Sequence, residues 1–304
     1  MPANIREIKG RMKAVGNIER ITKTMQLIAS ARFQAMQKKA TQSKAYTTQL
    51  GDMVGELSTA LAGDGDISHP LMSAPEIKTG RERVLVLTAE RGLCGAYNGN
   101  VMRKAMGYVQ NDLKLDNANL DVAGKKGQSF CKFNRINVDN ALNYGDSAAY
   151  ADVEQLAQRY IDEFMAAKVE AVKVIYMKFE TMSRQTPTVQ TLLPLESEAS
   201  DKPDTAASTK ISDPSSGPAS VYEFSPEPEA LLDTLLPTTV KTTLFQCFND
   251  ASVSEQLARM IAMKSATDAA GKQKKDLKRQ FNRARQTAIT TELSEIIAGA
   301  AALE

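Results

Sequence analysis

The chain has 304 residues, 42% hydrophobic and 24% charged, which is enough to bury the core of one large domain or two modest ones. Its three scattered cysteines argue against a disulfide framework, and no apolar run is long enough for a transmembrane helix. The net charge of +2 conceals two basic segments, 1–46 and 259–285, and an acidic one, 196–233. This segregation points to a charged partner.

The first segment is predicted to form one long helix, from residue 4 to about 56. No proline occurs between Pro2 and Pro70, and at 1.5 Å per residue the helix would be roughly 75 Å long. Such a helix is not stable alone and needs a partner along an apolar seam. The positions expected to form this seam, spaced by three and four, are Ile5, Ile8, Met12, Val15, Ile18, Ile21, Met25, Ile28, Ala31 and Ala35.

The middle of the chain, residues 82 to about 196, alternates predicted strands with predicted helices. Runs dense in Val, Leu and Ile read as buried strands, and amphipathic runs between them read as helices. This order indicates a mainly parallel sheet with covering helices. The expected strands are 82–90, 119–127 with its turn, 169–182 and 188–196, and the expected helices are 101–113 and 151–168.

The last third begins with a segment unlike the rest. Residues 197–228 are rich in Ser, Pro, Asp and Ala without periodicity, which predicts a flexible linker. Helical periodicity returns over 229–302, with a short opening helix expected to break at Pro237. From about 240 the pattern is interrupted only by Gly271, and this second helix would be roughly 90 Å long.

The expected fold class is therefore α/β plus long helices. The N- and C-terminal helices are predicted to pair as an antiparallel two-helix coiled coil, with a central Rossmann-like α/β domain between them in sequence. The expected segments are 1–60 for the first helix, 61–196 for the α/β domain, 197–228 for the linker and 229–304 for the second helix.

The residues give little support for an enzyme. The only histidine, His69, precedes a proline in a polar loop, which leaves no promising triad and no His-rich metal site. Cys94 has no obvious activating partner. Gly92, Gly95 and Gly99 follow a strand and precede a helix, but their spacing fits neither the dinucleotide fingerprint nor the P-loop. A tight turn is favoured there, and we expect no cofactor and no metal.

The basic helix faces leave more than one interpretation open. A basic coiled coil could bind nucleic acid, although the chain lacks aromatic interleaving and any zinc-finger or leucine-zipper basic-region pattern. A small-molecule α/β enzyme with helical arms is the other alternative. The end of the chain, 296–304, is apolar and small where a free helix end should be polar, which suits a sleeve in a partner protein.

Four sequence blocks resemble the ATP synthase gamma family. They are ITKTMQLIASARFQAMQ (21–37), RGLCGAYNGN (91–100), SEQLARMIAMKSATDAAG (254–271) and NRARQTAITTELSEIIAGAAAL (282–303). Their order and spacing agree with the family over nearly the whole chain. Ala269 and Thr291 depart from the pattern, the 197–221 segment is longer than usual, and no paired-Cys regulatory insertion is visible.

The resemblance implies a function. A member of this family is the central-stalk rotor subunit that couples ion flow through a membrane c-ring to ATP synthesis or hydrolysis. It turns inside a ring of alternating alpha and beta subunits whose beta subunits hold the catalytic sites, and its foot is fixed to the epsilon subunit and the c-ring. By this resemblance the chain is not catalytic by itself, and we expect it at the cytoplasmic face of a bacterial inner membrane, held there by its partners.

The resemblance also implies three groups of contact residues. A first group would face the beta catch loops or support the shaft near them, a second would form an apolar tip in its bearing, and a third would lie at the foot near the c-ring. The first group is Lys23, Met25, Arg259, Arg285, Gln286, Thr290 and Glu292; the second is Ile296, Ile297 and Leu303; the third is Tyr222, Glu223 and Phe224.

Overall fold

The computed structural model describes residues 5–61, 69–73, 80–113, 118–145, 147–195 and 228–301. These residues group into two compact units. The first, which we call the helical unit, consists of residues up to 35, 93–95 and from 255 onwards. The second, the α/β unit, consists of residues 36–92 and 96–254.

Two long helices begin and end the described chain. Helix α1 is Ile5–Leu61 and helix α5 is Pro228–Ala301, so the two predicted long helices are confirmed. The predicted break at Pro237 is wrong, because α5 continues through it. A proline inside a helix removes one ladder hydrogen bond and costs about 3 kcal/mol. Burial of Leu232 and Leu236 in the core offsets that cost.

A five-stranded sheet forms the centre of the α/β unit. Its order is β3-β2-β1-β4-β5, parallel throughout except for the β4–β5 pair, which confirms the mainly parallel sheet. The hydrophobic run Val84–Val86 is fully buried because β1 is the central strand. The strands are β1 Glu82–Leu87, β2 Ala118–Ala123, β3 Asn140–Leu142, β4 Ala171–Phe179 and β5 Gln185–Leu193.

Three shorter helices belong to the same unit: α2 Tyr97–Gly107, which continues as a π-helical turn to Leu113, α3 Lys125–Phe133 and α4 Tyr150–Met165. Helix α3 and strand β3 were not predicted. Helix α3 buries only Gly127 and Cys131, so its sequence shows no apolar periodicity. Strand β3 is only three residues long, which is too short for a pattern.

Helix α3 lies unusually close to the sheet. The Thr88 hydroxyl accepts a hydrogen bond from the Gly127 amide at 2.9 Å and donates one to the Ala123 carbonyl at 2.7 Å. A Cβ atom added at Gly127 would lie 2.6 Å from Thr88 Oγ1, so only glycine fits. Gly124, with φ of 94°, turns the chain from β2 into this helix.

The core of the α/β unit combines the sheet with α4 and the first half of α5. Its largest cluster includes Leu85, Tyr160, Phe164, Leu193 and Leu244. Rings at its edge meet edge-on, with Tyr144 and Phe248 centroids 5.4 Å apart. This packing stabilises α5 over its first turns, where its own ladder is broken by Pro237.

Candidate functional site

In the helical unit, buried positions recur every seven residues along both long helices. Ile8, Val15, Ala270 and Leu277 form one apolar cluster, against which Met12 and Phe281 pack. A seven-residue repeat is characteristic of a left-handed coiled coil. The buried positions in this repeat are Ile8, Val15, Thr22 and Ala29 on α1 and Met263, Ala270 and Leu277 on α5.

Two polar contacts set the direction and register of this pair. The Thr267 hydroxyl lies 2.8 Å from the Thr22 hydroxyl, and Lys274 Nζ lies 2.7 Å from Glu19 Oε2. A lower position on α1 therefore meets a higher position on α5, so the helices are antiparallel, as predicted. At this register, α5 positions after about 286 lie beyond Ile5, the first described residue of α1.

Helix α1 carries an exposed apolar face beside its seam. Ile18, Ile21, Met25 and Ile28 are all exposed, Ile21 by 55%, so the prediction that they lie in the seam is wrong. At about 100° per residue they share one side of the helix, roughly a quarter of a turn from the heptad positions. Lys23 is exposed on the same stretch. A spacing of seven from Ile8, rather than of three and four, would have separated the two faces.

The end of α5 is exposed on every side. Ile296 is 71% exposed, although it is one of the most apolar residues of the helix. Leu303 lies outside the described residues. An isolated helix end gains nothing from such side chains, and a contiguous apolar surface of this kind marks an interaction site. The exposed predicted residues here are Arg285, Gln286, Thr290, Glu292, Ile296 and Ile297, joined by Ile289 and Leu293.

Arg259 differs from the other predicted contact residues because it is largely buried. Its Nη2 atom lies 2.6 Å from Glu255 Oε1, one helical turn earlier, and both side chains are less than one-fifth exposed. Its guanidinium is therefore held within the chain. Tyr222, Glu223 and Phe224 lie outside the described residues.

The glycine-rich segment after β1 forms a strand-to-helix turn. Leu93 and Gly95 have φ of 64° and 57°, and α2 begins at Tyr97. The Asn98 side chain accepts the Ala89 amide at 2.9 Å, which ties the start of the helix to the end of the strand. This is the tight turn that the spacing predicts.

The α/β unit buries one carboxylate completely. Asp121, on β2, is 0% exposed and accepts hydrogen bonds from Arg83, Arg159, Tyr160 and Asn140. Burial disfavours the charged form of Arg83, but the carboxylates around it, Asp121 first, outweigh that effect and raise its pKa. The cluster joins β1, β2, β3 and α4 by charge-assisted hydrogen bonds.

A second buried acid lies on α5. Burial raises the pKa of Asp250 to about 6, against the opposing charges of Lys44 and Lys178 and a hydrogen bond from Gln246. Burial also raises the pKa of the Cys247 thiol to about 12. Both residues are buried, Cys247 to 1% and Asp250 to 7% exposure, so both belong to the packed interior.

The described ranges contain no group of three His, Cys, Asp or Glu side chains that could hold a metal ion. Cys94, Cys131 and Cys247 are buried and form no disulfide. None of the described helices is long and apolar enough to cross a membrane.

Comparison with known proteins identifies the family. The family described as ATP synthase matches residues 4–303. The ATP synthase gamma chain of Rhodopirellula baltica is 42% identical over 304 residues, which are 99% of each chain, and that of Heliobacterium modesticaldum is 36% identical over 98% of this chain and 99% of that one. This chain belongs to the ATP synthase gamma chain family. The nucleic-acid-binding alternative finds no support in these matches.

Solved structures share the fold of this gamma chain family member. A chain of the Euglena gracilis mitochondrial ATP synthase, from the OSCP, F1 and c-ring assembly, superposes with a TM-score of 0.63 at 14% identity, over 98% of this chain and 94% of that chain. A chain of the Tetrahymena thermophila central stalk and c-ring superposes with a TM-score of 0.58 at 17% identity, over 81% and 99%. This chain therefore shares its fold, two long paired helices and an α/β sheet, with those two chains.

Proposed function

We propose that this chain is the rotating central shaft of an ATP synthase, coupling ion flow through a membrane c-ring to ATP synthesis or hydrolysis on partner subunits. One observation carries the proposal furthest. The last turns of α5 extend past the first described residue of α1 and are apolar and exposed at Ile289, Leu293, Ile296 and Ile297. Such an end suits a bearing formed by a surrounding ring of alpha and beta subunits.

The exposed face of α1 supports the same role. Ile18, Ile21, Met25 and Ile28 form a strip that the seam leaves uncovered. Lys23 is exposed on another side of the same helix. A shaft must present different side chains to different partners as it turns, and an asymmetric surface does this. Exposed cations on both helices would meet acidic loops of the ring with contacts that break readily at each step. In this role Arg285, Gln286, Thr290 and Glu292 contact the beta subunits.

Arg259 has a different part in the proposal. Because its guanidinium is bound to Glu255 within the chain, we assign it to supporting the shaft near the beta contacts. Tyr222, Glu223 and Phe224 remain proposed contacts of the foot with the c-ring, and the epsilon subunit is a proposed partner of the same region. The chain supplies no catalytic group in this scheme, and it is held peripherally at the cytoplasmic face of the membrane by its partners.

Reconstitution tests the proposal. The purified chain is mixed with alpha and beta subunits, and assembly is followed by size exclusion together with ATP hydrolysis. We expect a complex that hydrolyses ATP when all three chains are present. A chain that stays apart from alpha and beta, where an established gamma chain assembles, would overturn the proposal.

Variants of the bearing surface make the test specific. The triple variant Ile289→Gln, Leu293→Gln and Ile296→Gln removes apolar surface without disturbing the seam, because these side chains are exposed. We expect its melting temperature to match the parent chain and its complex to lose most ATP hydrolysis. Met165→Gln, an equally exposed position on α4, is the matched control and should leave both unchanged.

A further inference from the structure

Helix α3 presents the most exposed large hydrophobic side chain of the described residues. Phe133 is 87% exposed and Phe130, one turn earlier, is 39% exposed. The helix is attached to the sheet through Gly127 and Cys131, which are buried. The Phe133 ring therefore lies outside the contact that holds the helix, and its exposure contributes nothing to the fold. Exposed aromatic side chains are enriched at protein interfaces, where they act as anchors.

Cations surround these rings. Residues 124–138 contain Lys125, Lys126, Lys132 and Arg135 and no Asp or Glu. All four cations are exposed, and none forms an ion pair within the described part of the chain. We call Phe130, Phe133 and these four cations the α3 surface. Its charge is uniformly positive at the point where its apolar side chains reach solvent.

The end of α3 holds this surface in one conformation. The Ile136 amide donates to the Cys131 carbonyl at 2.9 Å, and the Arg135 amide donates to Lys132 at 3.3 Å. Arg135 occupies the left-handed position of this helix end, with φ of 56°, where glycine is favoured. Because the backbone is closed by these bonds, binding would order little of it.

We propose that the α3 surface docks a partner protein that offers an apolar pocket for Phe133 bordered by Asp or Glu side chains. The charge complementarity selects an acidic partner. A protein fits better than a membrane, because bilayer binding grows with the apolar area buried and α3 offers only two exposed rings. The inference rests on the proposed function only in that the partner is sought among the subunits of an ATP synthase.

Photo-crosslinking in the assembled complex tests this inference. Phe133 is replaced by p-benzoylphenylalanine, the chain is assembled with its partner subunits in membranes, and crosslinked peptides are identified by mass spectrometry. We expect one partner peptide rich in Asp and Glu. The matched control places the same probe at Met165, an exposed apolar position next to the acids Asp162 and Glu163, and should capture that peptide at background yield.

The yield of the same crosslink is also measured in variants that reverse the charge of the α3 surface. Lys125→Glu with Lys132→Glu should lower its yield by roughly tenfold at low salt, and raising the salt should lower the parent yield similarly. A synthetic copy of the captured peptide is then titrated against Arg135→Gly and Ala167→Gly chains. Both substitutions replace a residue in the left-handed conformation at a helix end by glycine, so both should raise the melting temperature. Only Arg135→Gly should lower the affinity of the chain for the peptide.

The outcomes separate this inference from the proposed function. Failure of the parent chain to assemble with alpha and beta subunits rejects the proposed function. Normal assembly with a Phe133 crosslink to lipid, to a peptide without acids, or only at the yield of the Met165 probe rejects the docking surface alone. If the Phe133 probe prevents assembly, the probe at Phe130 gives the same reading.

Discussion

The hydroxyl of Thr267 on α5 hydrogen-bonds the hydroxyl of Thr22 on α1 at 2.8 Å, joining residues 245 positions apart in the chain. Thr22 in turn hydrogen-bonds the Ile18 carbonyl of its own helix at 3.0 Å. Thr22 occupies a heptad position that is otherwise apolar in the seam. A polar pair at such a position specifies the register of the two helices, because any shift of one helix along the other breaks the hydrogen bond between the two hydroxyls.

We expect the double replacement of this pair to cost less stability than either single replacement. Thr22→Val or Thr267→Val alone should lower the free energy of unfolding by about 1 kcal/mol, since each leaves one hydroxyl facing a methyl group. The double variant should recover most of that loss, because two valines pack as an apolar seam. Melting temperatures of all four chains give the coupling, and additive losses would count against a specific bond.

Asp121 should be among the most sensitive positions of the α/β unit. Asp121→Asn leaves the largely buried cation of Arg83 and the partly exposed cation of Arg159 without a carboxylate that both contact. We expect a loss of about 3–5 kcal/mol in stability, seen as a lower midpoint in urea. Asp162→Asn, on the exposed side of α4, keeps an oxygen that can accept the hydrogen bond from Gln158 and should change stability by less than about 0.5 kcal/mol.

Stability should depend on pH through Asp250. Its pKa is raised from 3.8 to about 6 in the folded chain, so between these values the folded state holds a proton that the unfolded state has lost. The stability that this proton provides is therefore fully present below about pH 4. It is lost as the pH rises through 6, which lowers the free energy of unfolding by up to about 3 kcal/mol. Asp250→Asn, which stays uncharged, should raise the melting temperature at pH 7.5 and have little effect at pH 4.

The comparison between the two pH values is the decisive readout for Asp250. A gain of equal size at both would mean that the amide improves packing and that titration of the acid is not involved. A loss at pH 7.5 would mean that the charges of Lys44 and Lys178 outweigh burial, contrary to the raised pKa.

Two glycines should respond oppositely to alanine. Gly127→Ala places a Cβ atom 2.6 Å from Thr88 Oγ1 and 2.8 Å from Val122 Cγ1, so we expect a loss of about 1–3 kcal/mol. Gly107→Ala, at the end of α2, meets no atom within 4 Å and should stabilise the chain by up to about 1 kcal/mol. Thermal unfolding of the two variants checks both signs, and equal effects would contradict the close packing of α3.

The long helices and the parallel sheet could be predicted because their signals are repeated many times. Each turn of α1 and α5 adds one more apolar position, and β1 is apolar from Val84 to Leu87 because it is central. Helix α3 could not be predicted, since a helix that packs through Gly127 and Cys131 has no apolar stripe. The predicted helix break at Pro237 was wrong for a related reason. The core packing that stabilises the helix around this proline is a tertiary effect, which the local sequence does not indicate.

The candidate contact surface was only partly predictable. Apolar residues spaced by three and four were assigned to one seam, but Ile18, Ile21, Met25 and Ile28 are exposed while Thr22 is buried. Periodicity indicates which residues share a face and does not indicate whether this chain or a partner covers it. The residue-by-residue contacts with other subunits stay predictions, because they depend on surfaces outside this chain.

The proline in α5 has a consequence for local opening. Pro237 cannot donate to the Asp233 carbonyl, so the helical turns before it are held mainly from outside the helix, by Leu232 and Leu236 in the core and by Asp233, whose carboxylate lies 3.2 Å from His69. The chain around His69 is tied in turn to the residues just after β5, because the Leu195 amide donates a hydrogen bond to the Leu71 carbonyl. The start of α5, residues 69–73 and the end of β5 should therefore open together, as one cooperative block whose amides show a common free energy of opening in hydrogen exchange.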